Sequence, residues 1–165
     1  MYVFPSDILD SAGRIIAKLR AAHLKVATAE SCTGGLVAGA ITSIAGSSDV
    51  FDQGFVTYAN SAKTAMVGVD AKLIRKHGAV SAEVAHAMAE GGLKAAAADV
   101  AVAVTGVAGP GGGTPEKPVG LVFIGIASRK AATDVQRFEF GDIGREGVRI
   151  ATVREALRLL ERASE

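Results

Sequence analysis

A serine after a short apolar run is the first candidate for chemistry in this chain of 165 residues. The run Leu24 to Ala29 predicts a strand and Thr33 to Thr42 predicts a helix, so Ser31 is expected at the turn between them. Because N–H groups at a helix start point out of such a turn, an exposed Ser31 hydroxyl could attack a carbonyl carbon beside an oxyanion site. Ser31 could equally be the N-cap of the helix.

A lysine and a tyrosine could assist that serine. Lys63 begins a predicted helical turn, five residues after Tyr58, which ends the next predicted strand. Burial would lower the pKa of Lys63 and let it act as a base, and the Tyr58 hydroxyl could orient either group. The alternative is that Lys63 is one more solvated lysine. Cys32 is a competing nucleophile, because a helix N-terminus activates a thiolate.

A glycine-rich loop, Gly106 to Gly113, follows the small-apolar run Asp99 to Thr105. Its backbone N–H groups could cradle a phosphate or a carboxylate, and Lys117 could add positive charge. The loop has neither a Gly-Lys-Ser/Thr ending nor a Gly-x-Gly-x-x-Gly pattern, and it could instead be a plain flexible loop.

Two arginines, Arg145 and Arg149, fall in the first turns of the last predicted helix. Cations there oppose the helix macrodipole, which suits an external anion bound between them and the helix start. Asp142 and Glu146 could instead neutralise them on a wet surface.

The bulk composition indicates one globular domain over residues 1–165, with 49% hydrophobic and 21% charged residues. A net charge of +1 gives no reason to expect nucleic acid or membrane partners. We expect a cytoplasmic location, because Cys32 is the single cysteine and Met1 to Leu9 does not resemble a secretory signal. The three histidines belong to no ligand motif, so neither a metal nor another cofactor is expected.

Helical and strand periodicities alternate along the chain and then end in an antiparallel pair. This order predicts a three-layer α/β/α sandwich with a mixed central sheet. Gly91 and Gly92, inside one predicted helix, indicate a close packing contact there, either within the chain or between subunits. The expected helices cover residues 6–22, 33–42, 61–67, 70–77, 81–98 and 143–163, and the later strands cover 50–58, 99–105, 119–128 and 133–140.

Several separate motifs occur in one order over residues 6–163. They are Thr28 to Gly35, Gly54 to Asn60, Gly78 to Ser81, Thr105 to Gly112, and Lys117-Pro118-Val119-Gly120. Together they resemble the C-terminal domain family of the CinA competence/damage-inducible protein. The resemblance favours the catalytic interpretation of Ser31 and Lys63 over the structural one.

The resemblance implies a nicotinamide-nucleotide amidohydrolase, which converts nicotinamide mononucleotide and water to nicotinic acid mononucleotide and ammonia. It implies Ser31 as nucleophile, Lys63 as general base, Tyr58 as an assisting hydroxyl, and no metal. We further expect substrate contacts from Glu30, Thr33, Gly34, Thr105, Gly106, Gly109 and Arg145. The phosphate is expected at Arg145 and the backbone of residues 106–109, and the oxyanion at the backbone N–H groups near Thr33 and Gly34.

A non-catalytic interaction module, linked to competence or the DNA-damage response, is the alternative function. The sequence gives this alternative little support, because the chain has no basic stripe and only 5% aromatic residues. Small-residue helices make a homodimer or a higher homo-oligomer plausible.

Overall fold

A computed structural model describes residues 3–165, so Met1 and Tyr2 of the predicted domain lie outside the described residues. The chain alternates helices and strands up to the third strand and then ends in a hairpin and a long helix. The helices are α1 (Ser6–Ala21), α2 (Leu36–Thr42), α3 (Asn60–Val67), α4 (Ala71–His77), α5 (Ala82–Ala95) and α6 (Arg145–Ala163). The strands are β1 (Val26–Glu30), β2 (Phe51–Val56), β3 (Val100–Gly106), β4 (Leu121–Ser128) and β5 (Asp134–Glu139).

One mixed sheet carries the fold, in the order β2-β1-β3-β4-β5. Strand β1 runs parallel to both β2 and β3, whereas β4 and β5 are antiparallel to their neighbours. The predicted antiparallel pair is therefore confirmed, and β3 lies at the centre of the sheet. The carboxyl ends of β1, β2 and β3 meet at one edge of the sheet, which is where parallel α/β sheets build their sites.

The alternation of valine and alanine along β3 sorts the two faces of the sheet. Val100, Val102 and Val104 pack toward α1, α2 and α6, and Ala101 and Ala103 face the α5 side. Because alanine side chains are small and project little from the second face, α5 can approach the strands closely. Helices thus cover both faces, and the predicted three-layer mixed α/β architecture is confirmed.

The glycine pair in α5 makes two close contacts inside the chain. A Cβ on Gly91 would overlap the carbonyl oxygen of Val67 at the end of α3, and a Cβ on Gly92 would meet Ala29 of the sheet at 3.4 Å. The close contact expected from the sequence is therefore an intrachain one. The homo-oligomer stays a prediction.

Some element boundaries differ from the sequence-based ones. Helix α2 begins at Leu36 rather than Thr33, because Gly34 and Gly35 take φ values of +58° and +100° that interrupt a right-handed helix. Helix α1 has Pro5 at its N-cap, with no side-chain cap from Ser6 or Asp7. Within residues 3–165, no helix combines the length and apolar character needed to cross a bilayer.

Candidate active site

A cleft of about 290 Å³ opens where β1 and β3 end. Its walls come from five segments of the chain: the end of β1, the start of α3, residues 79–80 between α4 and α5, the glycine-rich loop after β3, and the start of α6. The lining includes Ser31, Cys32, Tyr58, Lys63, Thr105, Gly106, Gly109 and Arg145. Most of the residues expected at the site are thus brought together.

The segment Ser31 to Gly35, here called the Ser31 turn, follows directly from β1. The Ser31 N–H still donates to Val104 O of β3 at 2.9 Å, which extends the sheet pairing by one residue. The N-cap position of α2 is Gly35, and α2 has no side-chain cap at that position. The N-cap role considered for Ser31 is therefore wrong, and its hydroxyl faces the cleft.

Glu30 ends β1 with a carboxylate that is fully buried. This carboxylate accepts from the Thr33 hydroxyl at 2.7 Å and from the Val37 and Ala38 N–H groups at 2.8 and 3.0 Å. A buried anion at the first N–H groups of α2 satisfies donors that a helix start otherwise leaves unpaired. The expected substrate contacts of Glu30 and Thr33 are corrected, because both side chains are fully buried and bonded to each other.

Lys63 lies on α3 with its side chain pointing at the serine. Lys63 Nζ is 3.1 Å from Ser31 Oγ, 3.0 Å from Thr57 O and 3.4 Å from Tyr58 O. The residue is only 1% exposed, which excludes the solvated alternative. Burial lowers the pKa of Lys63 below its usual 10.5.

Three oxygens surround Lys63 Nζ, so an ammonium can donate to all three, and the uncharged amine is the form that can act on the serine. A neutral amine has two N–H donors and one lone pair, so two carbonyls can take the donors while the lone pair faces the Ser31 hydroxyl. The arrangement can therefore accept a proton from Ser31, which is what a serine nucleophile needs.

Tyr58 is placed differently from the expectation. Strand β2 ends at Val56, so Tyr58 lies in the loop that follows, and it is 55% exposed. Its hydroxyl accepts from Arg145 Nη2 at 2.7 Å, while its backbone carbonyl faces Lys63. Tyr58 thus contributes a carbonyl to the lysine, and its hydroxyl touches neither Ser31 nor Lys63.

Arg145 joins two walls of the cleft. Besides Tyr58, it donates through Nη1 to Gly109 O at 2.8 Å. An arginine has five N–H donors, so three are left for a ligand. No ion pair between Arg145 and a carboxylate occurs within residues 3–165, and the proposed neutralisation by Asp142 and Glu146 is not found.

The glycine-rich loop offers backbone donors to the cleft. Val107 N–H pairs with Leu121 O, but the N–H groups of Ala108, Gly109 and Gly111 have no acceptor in the part of the chain that the structure describes. The Thr105 hydroxyl is committed to Ala79 O at 2.7 Å and holds the opposite wall. Lys117 Nζ donates to His77 O at 2.6 Å, so its charge is used at the end of α4 rather than in the cleft.

Two features escaped the sequence-based interpretation. Arg149, expected beside an external anion, donates instead to the carbonyls of Cys32 and Thr33 in the Ser31 turn. The Gly34 N–H, expected to face substrate, donates to Ser31 O at 3.0 Å. Neither could be inferred, because each depends on where a backbone carbonyl points.

Cys32 lines the cleft but is poorly suited to attack. It is 6% exposed, and burial raises the pKa of its thiol to about 11. A thiol with that pKa is almost wholly protonated at neutral pH, and the thiolate is the nucleophile. Among residues 3–165, no group of three His, Cys, Asp or Glu side chains could hold a metal ion.

The fold and the site define an α/β domain with a buried lysine against a serine at the end of its central strands. The model of the CinA C-terminal domain matches residues 9–164, and the chain belongs to this family. It is 51% identical over 162 residues to a CinA-like protein of Citrifermentans bemidjiense, covering 98% of this chain and 38% of that protein. The chain thus spans well under half the length of that relative.

Solved structures give the same result. The competence/damage inducible protein CihA from Agrobacterium tumefaciens superposes with a TM-score of 0.98 at 52% identity, covering 100% of both chains. A CinA superfamily protein from Klebsiella pneumoniae gives a TM-score of 0.89 at 34% identity, covering 95% of this chain and 97% of that one.

Proposed function

We propose that this chain hydrolyses the carboxamide of nicotinamide mononucleotide to nicotinic acid mononucleotide and ammonia. The single observation that carries the proposal is the pairing of Ser31 Oγ with a buried Lys63 Nζ at 3.1 Å. The family resemblance supplies the substrate, and the chemistry of the pair supplies the reaction class, which is acyl transfer to a serine.

In the first step Ser31 Oγ bonds to the carboxamide carbon while Lys63 takes the hydroxyl proton. The carbonyl π-bond electrons move to oxygen and form a tetrahedral oxyanion. When this collapses, the C–N bond breaks and Lys63 returns its proton to the leaving nitrogen, which departs as ammonia. A water molecule, deprotonated by the same lysine, then attacks the acyl carbon; the C–Oγ bond breaks, and Lys63 returns the proton to Ser31 Oγ.

The oxyanion requires donors that no other group uses. Gly34 N–H donates within the Ser31 turn, whereas Cys32 N–H donates to no backbone carbonyl among residues 3–165 and belongs to a cleft-lining residue. The residue after a strand-to-helix nucleophile supplies such a donor in other hydrolase folds. We assign this role to Cys32 N–H, and one such donor is worth roughly 10²–10³ in rate.

We place the substrate phosphate at Arg145 and the glycine-rich loop. Arg145 keeps three free donors there, beside the open N–H groups of Ala108 and Gly109. A guanidinium with converging backbone amides binds a phosphate dianion by charge-assisted hydrogen bonds.

The test is formation of nicotinic acid mononucleotide and ammonia by wild type, Ser31→Ala and Lys63→Ala, with the exposed Ser48→Ala and Lys76→Ala as matched controls. We expect activity in wild type and both controls and its loss in the two folded site variants. Hydroxylamine added to wild type should intercept the acyl-enzyme and give the hydroxamate. A folded wild type that releases no ammonia, or a fully active Ser31→Ala, refutes the proposal.

A further inference from the structure

Arg149 reaches across from α6 to the backbone of the Ser31 turn. Its Nε donates to Cys32 O and its Nη2 to Thr33 O, each at 3.1 Å. The guanidinium forms no ion pair with a carboxylate in the described part of the chain. Its fork of donors is therefore used on two consecutive peptide carbonyls, a geometry that a lysine ammonium does not reproduce.

These two bonds fix the direction of the N–H groups in the turn. In a trans peptide the N–H points opposite to the C=O of the same unit. Holding Thr33 O therefore directs the Gly34 N–H, which donates to Ser31 O at 3.0 Å. Holding Ser31 O in turn directs the Cys32 N–H away from the turn's interior.

The turn needs such a restraint. Gly34 and Gly35 both have positive φ and lack side chains that could restrict them. On one side the buried Glu30 carboxylate anchors the start of α2. On the other side Arg149 anchors the carbonyls, so the turn is held between α2 and α6.

We propose that Arg149 is a positioning residue, which clamps the Ser31 turn so that Ser31 Oγ and the Cys32 N–H keep their relative placement. It acts on the reaction through the backbone and does not bind the substrate phosphate, although Arg145 lies one helical turn away. The predicted effect of Arg149 on turnover rests on the proposed function. Its predicted effect on the reactivity of Ser31 toward a fluorophosphonate does not.

The experiment compares Arg149→Met and Arg149→Lys with Arg158→Met, a control on the same helix whose exposed side chain pairs with the half-buried Glu155. Three quantities are measured: kcat and KM for nicotinamide mononucleotide, the rate constant for phosphonylation of Ser31 by a fluorophosphonate, and the melting temperature. Arg149→Ala is also assayed with and without added guanidinium ion.

We expect kcat and the phosphonylation rate of Arg149→Met to fall together by about 10²-fold, the effect of misplacing one oxyanion donor, with KM changed by less than about threefold. Arg149→Lys should remain impaired, and guanidinium should restore Arg149→Ala by at least about tenfold. If Arg149→Met does not fold, the comparison is made on Arg149→Lys, which keeps the positive charge and a long side chain. Arg158→Met should match wild type.

Three results would overturn the proposal. One is a raised KM with unchanged kcat, which would place Arg149 in the phosphate subsite. Another is unchanged kcat and phosphonylation in the Arg149 variants. The third is a wild type whose Ser31 does not react with the fluorophosphonate. If wild type reacts with this probe but does not turn over the nucleotide, the proposed function fails while the phosphonylation rates still decide the role of Arg149.

Discussion

Replacing Gly91 by alanine should damage the site from a distance. Gly91 lies in α5 against the end of α3, where an added Cβ would overlap the carbonyl oxygen of Val67. Restoring an ordinary C···O contact of about 3.3 Å requires the end of α3 to retreat by on the order of 1–2 Å. Lys63 lies one turn earlier on the same helix and is 3.1 Å from Ser31 Oγ, so that retreat breaks their contact.

The expected magnitudes follow from this displacement. A misplacement of about 1 Å at a catalytic group costs on the order of 10²-fold in rate, which should appear in kcat with little change in KM. Overpacking a tight contact costs about 1–3 kcal/mol of unfolding free energy. For a chain of this length that lowers the melting temperature by roughly 3–10 °C.

Gly13→Ala in α1 is the matched control, because a Cβ there meets nothing within 4 Å. It should gain helix propensity, about 0.8–1 kcal/mol, and leave kcat unchanged. Both variants are assayed by thermal unfolding and by ammonia release. A Gly91→Ala protein with wild-type stability and kcat would refute the claim that the α3–α5 contact fixes the position of Lys63.

Three further changes test other contacts. The rate constant kcat/KM should rise with pH and level off above the pKa of Lys63, since burial lowers that pKa below 10.5 and only the neutral amine accepts a proton; a rate that falls from pH 6 to 9 would contradict the base role. Thr28→Val should raise the free energy of unfolding by about 1 kcal/mol, because the buried Thr28 hydroxyl has no hydrogen-bond partner among residues 3–165. Thr33→Val should lower the free energy of unfolding, because the Thr33 hydroxyl donates to Glu30. A destabilised Thr28→Val protein would show that the Thr28 hydroxyl has a partner. Cys32→Ala should keep most of the activity. Iodoacetamide should label Cys32 slowly at neutral pH, because its thiol pKa of about 11 leaves little thiolate. Rapid labelling with loss of activity would contradict the claim that Cys32 is not the nucleophile.

The layers of the fold could be predicted because their signals are periodic. The buried positions of α1 recur at helical spacing, and β3 alternates valine with alanine, so the residue pattern of each element predicts which face packs against its neighbours. Boundaries at glycines were less predictable. Helix α2 starts three residues later than expected because Gly34 and Gly35 take left-handed backbone conformations that the sequence permits but does not require.

The chemistry of individual side chains was harder to predict than their membership of the cleft. Glu30 and Tyr58 illustrate this: one is buried against the start of α2, and the other turns its hydroxyl to Arg145. The local sequence predicts that both residues lie next to the site, but the partners of their side-chain oxygens lie mostly on helices that come later in the chain. A motif can thus identify the neighbourhood of a residue without giving its hydrogen bonds.

Arg145 and Arg149 show why spacing alone cannot assign such roles. They lie four residues apart on α6, so both point toward the same edge of the sheet. One turn along the helix is enough to bring Arg145 to the glycine-rich loop and Arg149 to the Ser31 turn. The first lines the cleft with three donors unused, and the second donates to the carbonyls of Cys32 and Thr33. We propose that Arg145 binds the ligand and Arg149 positions the turn, and measurement of KM against kcat in matched variants separates the two roles.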